Sequence, residues 1–233
     1  MTNVFRYVLL TSALAVVIAC PHPLFAQIGP NALELRTYTG LHAAAARGDV
    51  ESIERLIRGG ADKEVRDGNG RTALHVAIFQ KQGSAAAALL RLGVNANALD
   101  AQRYDAVTIA AVANDVATMK IALAGGNRPD NVTSPYDGTA LIAAAHLGHV
   151  EVVRELIAAG APLNHVNNLG WTALIEAIIL GDGGANHAAI VDMLVKAGAD
   201  MSLADRQGLT PVVLARGRGY AKIVSILETA GAR

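Results

Sequence analysis

Apolar and polar positions along this chain form blocks that repeat with a long period. In residues 137–166, DGTALIAAAHLGHVEVVRELIAAGAPLNHV, an apolar run from Ala140 to Ala145 gives way to a Gly148-His149 break, and a second stretch, with Val150, Val152, Val153, Leu156 and Ile157 apolar between charged residues, ends at Gly160. Each stretch is long enough for a short helix, and the glycines mark the turn between the two and the stop after the second. Variants of the same block recur before and after it. With Leu141 as the anchor, the equivalent residues are Leu41, Leu74, Val107, Leu174 and Val212, separated along the chain by 33, 33, 34, 33 and 38 residues. A period in this range marks stacked units that each bury an apolar face against the next. The pattern predicts helices over Gly40–Arg47, Val50–Arg58 and Ser84–Leu92, and places the extra residues of the widest interval in a surface loop around Asp182–Asn186, expected to be a flexible spacer.

The recurring fragments Thr72-Ala73-Leu74-His75, residues 148–153 (GHVEVV), and Gly60-Ala61-Asp62, Gly160-Ala161-Pro162 and Gly198-Ala199-Asp200 resemble the ankyrin repeat. The resemblance covers about Thr37 to Arg233 and implies an all-α solenoid of about six stacked repeats, each a helix-turn-helix with a β-hairpin loop. The units read as residues 37–66, 67–99, 100–133, 134–166, 167–204 and 205–233, preceded by a linker over 27–36. Polar Arg55 and Lys63 in the first unit, and Glu228 where internal copies carry Ile157 or Val195, suit end units whose outer faces meet water. The third unit departs most: Arg103 replaces the turn glycine, Asp105 the capping threonine and Thr108 the histidine. It is expected to be the least ideal of the six.

Residues 1–26 stand apart. Arg6 precedes an apolar stretch, Val8 to Cys20, which Pro21 and Pro23 close, and Leu24 and Ala26 follow at the small-pocket positions of a cleavage site. This is the anatomy of a secretory signal peptide, and the stretch is shorter than the roughly 20 apolar residues of a spanning helix. Cleavage after Ala26 would give a periplasmic or secreted protein. Lipid attachment at Cys20, in a Val17-Ile18-Ala19-Cys20 sequence resembling a bacterial lipobox, would give a membrane-anchored lipoprotein. Cys20 is the only cysteine, so neither route leaves a disulfide or a catalytic thiol.

Charge is balanced, with 20 Lys plus Arg against 20 Asp plus Glu, so no global field draws the chain to nucleic acid. Candidate chemistry is sparse. His146 and His149 are three apart but lack carboxylate or thiol partners for a metal, Gly217-Arg218-Gly219 is too short for a phosphate loop, and no Ser or Cys nucleophile sits beside a base. His42 and His75 match the family's structural histidine. No cofactor and no enzyme activity are expected.

The resemblance therefore implies a monomeric, non-enzymatic scaffold for protein-protein interaction, with an inhibitor (immunity-like) or helper of a periplasmic enzyme or toxin as the alternative. In the family the hairpin tips and the inner face of the first helix vary with the partner. Phe79 falls on that inner face, with Leu147, Ile179 and Leu180, while Tyr104, Tyr136 and Trp171 fall at tips. The expected contact surface runs from Phe79 through Tyr104 and Tyr136 to Trp171, with Arg71 as a polar edge; aromatic anchors of this kind dominate protein interfaces.

Overall fold

The computed structural model describes residues 27–232. The signal segment and Cys20 lie outside the described residues. A short helix, α1 (Ala32–Thr37), precedes six helix pairs: α2 (Gly40–Arg47) and α3 (Val50–Arg58), α4 (Ala73–Phe79) and α5 (Gly83–Arg91), α6 (Ala106–Val112) and α7 (Val116–Ala124), α8 (Ala140–Leu147) and α9 (Val150–Ala158), α10 (Ala173–Ile179) and α11 (Ala185–Lys196), α12 (Pro211–Gly217) and α13 (Ala221–Thr229). The first helices of successive pairs pack on one another as one row, and the second helices as another. Among the described residues the connections between pairs are turns with one isolated β-bridge, Thr133 to Gly138, and no strand.

Alanine explains how closely the inner row stacks. Ala43, Ala44 and Ala45 of α2, Ala73 and Ala77 of α4, Ala110 and Ala111 of α6 and Ala140, Ala143, Ala144 and Ala145 of α8 are all buried. The anchors Leu41, Leu74, Val107, Leu141, Leu174 and Val212 are buried with them, and Ile53, Leu89, Met119, Leu156, Leu194 and Leu227 fill the space between the rows. Small side chains on facing helices let the backbones approach, and the larger residues take up the remaining volume at native density.

The helix starts follow from local chemistry. Thr139 and Thr172 accept the backbone N–H groups of Ile142 and Ile175, and Asp105 does the same for Thr108 at 2.8 Å, so the third unit, which lacks the capping threonine, keeps a good N-cap. Its histidine is replaced by a different network. Asp105 Oδ2 accepts from Asn127 and from Asn131, both at 2.8 Å, and Thr108 and Thr133 share a hydroxyl hydrogen bond. The expected irregularity of this unit resolves into buried polar contacts that are fully paired.

At the end of the array Glu228 is exposed and pairs with Arg216 at 2.6 Å. Residues 27–36, expected to be a linker, are instead docked. Asn31 forms a capping box with Glu34 at the start of α1, and the segment makes hydrogen bonds to the second and third repeats.

Candidate functional site

The tip of each connection is built on one residue, seven positions before the anchor: Asp67, Asp100, Ser134, Asn167 and Asp205. Its side-chain oxygen accepts two backbone N–H groups, those two and four residues on. Asp67 takes Asn69 and Arg71, Asp100 takes Gln102 and Tyr104, Asn167 takes Leu169 and Trp171, and Asp205 takes Gln207 and Leu209, all at 2.9–3.0 Å. Ser134 reaches Tyr136 and Gly138 less closely, at 3.2 and 3.4 Å. Such Asx-type turns are what these residues are suited to. Neighbouring tips are joined by main-chain bonds, Ala101 N–H to Asn69 O, Ser134 N–H to Arg103 O and Asn168 N–H to Tyr136 O, and the last tip by the Arg206 guanidinium donating to Asn168 O, so the tips form one continuous edge.

On this edge the residue three before the anchor is Tyr38, Arg71, Tyr104, Gly138, Trp171 and Leu209 in turn. The structure divides them. Tyr104 is 2% exposed, and burial pushes its hydroxyl up to about 12, with Asp100 and Tyr136 adding to the rise; it is a packing residue and offers no contact surface. Arg71 is also no polar edge: its side chain is fully buried. Arg71 is covered by the segment before the first repeat, which accepts from its guanidinium through Ile28 O and Glu34, whereas Tyr104 belongs to the core of the stack itself. Toward the other end the row opens. Trp171 is half-buried and Leu209 is 40% exposed.

The inner helix ends are half-buried or exposed along the array. Phe79 is half-buried, and its ring lies against Gly29, where an added Cβ would come within 3.0 Å of Cδ1. Ile179 and Leu180 are half-buried, Leu147 is 37% exposed and, at a neighbouring tip, Val166 is 48% exposed. Tyr136 keeps partial exposure. Of the expected site residues, Arg71 and Tyr104 are buried, Phe79, Tyr136, Trp171, Ile179 and Leu180 are half-buried, and Leu147 is exposed. Val65, Val132, Val166 and Leu209 are exposed at or beside the tips as well, and the sequence did not single them out, because an aliphatic residue at a tip carries no compositional signal. Val213 is also exposed, but it occupies the slot that His75, Thr108, Ile142 and Ile175 bury against a following repeat. Its exposure reflects the end of the stack.

The buried polar groups bind the repeats to each other. His42 Nε2 donates to Arg71 O at 2.8 Å and His75 Nε2 to Tyr104 O at 3.1 Å, each reaching the next repeat. His75 Nδ1 in turn accepts from Thr72 N–H at 3.0 Å. Glu176, in α10, is buried; Asn167 donates to one of its oxygens at 2.9 Å and His146 Nδ1 lies 3.4 Å from the other. Asn167 also builds the turn that carries Trp171, so this side chain ties the inner helix to the tip. Among the described residues no group of three or more His, Cys, Asp or Glu gathers as metal ligands, and no helix is long and apolar enough to cross a membrane.

The insertion is ordered, contrary to the flexible spacer expected of it. His187 Nδ1 meets Asp182 Oδ1 at 2.8 Å while Nε2 donates to His146 O at 2.9 Å, and the Tyr220 hydroxyl donates to Gly181 O at 2.9 Å. Hydrogen bonds from the Gly184 backbone and then from His187 hold Asp182 below the usual carboxylate range.

The family model described as "Ankyrin repeats (3 copies)" matches residues 22–100 and 107–205. The ankyrin repeat protein YahD of Escherichia coli (strain K12) is 35% identical over 191 residues, 81% of this chain and 94% of YahD. The crystal structure of an ankyrin repeat domain from Acinetobacter baumannii AYE superposes with a TM-score of 0.79 at 45% identity, covering 83% of this chain and 98% of that one. A chain from the complex of the Bdellovibrio bacteriovorus predatory endopeptidase Bd0816 with the immunity protein Bd3460 gives a TM-score of 0.68 at 22% identity over 82% of this chain and 98% of that one, a likeness of fold alone. Six helix pairs in two rows, a histidine reaching from one repeat to the next and a matching family model over most of the chain lead to one conclusion: this protein belongs to the ankyrin repeat family.

Proposed function

We propose that this chain is an exported, non-enzymatic scaffold that holds a partner protein on the tips and inner helices of its fourth to sixth repeats. Ankyrin repeats are protein-protein interaction modules. The observation that carries the finer reading is the apolar surface there: Leu147, Val166 and Leu209 are exposed and Trp171, Ile179 and Leu180 half-buried on the tip edge and inner helix ends, whereas the slot of Trp171 is filled by the buried Arg71 and Tyr104 in the second and third repeats. Apolar and aromatic side chains held on a hydrogen-bonded edge lose little entropy on binding, and they supply the anchors of most protein interfaces. The leader residues Arg6, Val8–Cys20 and Ala26 support export to the periplasm.

Affinity purification of the tagged protein from the exported fraction, comparing wild type with a Trp171→Ala/Leu180→Ala/Leu209→Ala variant, tests this. The wild type is expected to enrich a discrete partner that the folded variant loses. Equal recovery by both would place the interface elsewhere. Intact mass of the same material is expected to begin at Gln27, or at a lipidated Cys20, and a full-length cytosolic chain would end the export reading.

A further inference from the structure

We infer that residues 27–34 are an intramolecular ligand, occupying a peptide-binding groove on the second and third repeats whose working residues are Asn69, Arg71, Phe79 and Gln102. The groove is built before the segment reaches it. Arg71 Nε donates to Asp67 Oδ2 at 2.7 Å, and the same oxygen accepts the Tyr38 hydroxyl at 2.5 Å, so the guanidinium is fixed by its own turn with two nitrogens left to point outward. Those two take the segment. Nη1 donates to Ile28 O at 3.1 Å and Nη2 to Glu34 Oε1 at 2.7 Å, where Asn69 Nδ2 also donates at 2.7 Å. Ile28 N–H donates to Gln102 Oε1 at 3.0 Å, and Gly29 lies beside the Phe79 ring, where an added Cβ would be 3.0 Å from Cδ1.

The apolar side chains show that this segment is held as a ligand and not as a cap on the core. A hydrophobic cap buries its large residues, yet α1 buries none, and Ile28 and Leu33 are 57% and 63% exposed. What holds the segment is polar recognition of one main-chain unit and one carboxylate, with a glycine where a side chain would collide with Phe79. A groove with these features takes an extended peptide that offers a main-chain N–H and C=O, a small residue, and an acidic side chain about five residues later, a spacing copied from Gly29 to Glu34. Covalent attachment gives the resident segment an effective concentration in the millimolar range, so a competing peptide must bind well or the segment must first come away.

The test uses the full chain and no partner, so its outcome is separate from that of the fourth-to-sixth-repeat surface. In a Gly29→Val/Glu34→Ala variant the segment is displaced while every groove residue is retained. A fluorescent peptide with the sequence of residues 27–37 is titrated into wild type and variant, both checked for folding by circular dichroism. Binding at least tenfold tighter to the variant, lost when the peptide's own glutamate is replaced by glutamine, is the expected result. Equal affinity for both proteins, or no binding to a folded variant, would overturn the inference. Should the variant not fold, native-state hydrogen exchange on the wild type decides: a ligand opens locally, so 27–34 exchanges well before α2 and α4, whereas exchange of all three together makes the segment part of the fold and refutes the proposal.

Discussion

Arg103 and Asp137 occupy the same place in successive repeats, four residues before the anchor, and pair across the tip edge at 2.8 Å. Glycine holds that place at Gly70, Gly170 and Gly208, all with positive φ. Arg103 and Asp137 adopt the same left-handed backbone, with φ of +66° and +53°, a region that costs a residue with a Cβ roughly 1 kcal/mol relative to glycine. Both side chains are about half exposed, so the ion pair returns only about 0–1 kcal/mol.

A double-mutant cycle separates strain from pairing. Arg103→Gly removes the strain and also the ion pair, so thermal or urea unfolding is expected to show a gain of a few tenths to about 1 kcal/mol. Asp137→Gly should behave alike. Because either change already breaks the pair, adding the second glycine should gain more than it does alone, with a coupling of about 0.2–1 kcal/mol. Strict additivity would mean that the pair contributes nothing, and a loss from the second glycine, added where the pair is already broken, would show that the turns are not strained.

His75 makes stability depend on pH near neutrality. Burial pushes its ring below the ordinary 6.5, against a smaller opposite pull from Asp100. Nδ1 accepts from Thr72 N–H while Nε2 donates to Tyr104 O, so only the neutral ring fits. In the unfolded chain it titrates near 6.5. The unfolded state therefore binds more protons than the folded one below that pH, and stability is full above it and falls as pH drops toward the depressed folded value, at up to about 1.4 kcal/mol per pH unit. The melting midpoint of the wild type is expected to fall between pH 7 and 5.5, and that of His75→Gln to start lower but fall less. Parallel curves would assign the pH dependence to other groups.

Tyr104 and Trp171 share a slot and differ in role. Tyr104 is buried in the core of the stack, so Tyr104→Ala leaves a cavity and should cost about 3–5 kcal/mol. Trp171→Ala should cost about 1 kcal/mol or less in stability, and about 1–3 kcal/mol in partner capture. Chemical denaturation of the two variants checks the first contrast. Similar losses for both would make Trp171 a packing residue too and remove it from the interface.

The anchors and the helix pairs were legible because burial and period depend on residues that recur at fixed spacing. Gly40–Arg47 and Val50–Arg58 form as read, and the α5 helix starts one residue early because Gln82, not Gly83, ends the preceding turn. The contacts over Arg71 and Phe79 were not legible, since they depend on where residues 27–34 travel after leaving the repeat frame. No local pattern encodes a contact between Ile28 and Gln102.

The insertion in the fifth repeat should behave as structure rather than as slack. α11 runs 12 residues where the other outer helices run 9, so part of the extra length goes into helix, and the rest is clamped from both neighbouring repeats. Gly183 has φ +70°, and the Tyr220 ring lies so close that an added Cβ would meet Cδ1 at 2.4 Å. The Tyr220 hydroxyl bonds to Gly181 O, and His187 bridges Asp182 to His146 O. Tyr220→Phe removes one hydrogen bond and should cost about 0.5–1.5 kcal/mol, whereas Gly183→Ala forces the ring away and imposes left-handed strain on alanine, so it should cost more. The distinguishing measurement is hydrogen exchange over residues 181–188. Protection there is expected in the wild type, reduced locally in Tyr220→Phe and reduced together with α13 in Gly183→Ala, because that ring belongs to the last repeat. Rapid exchange of the segment in the wild type would return it to the status of a loose spacer.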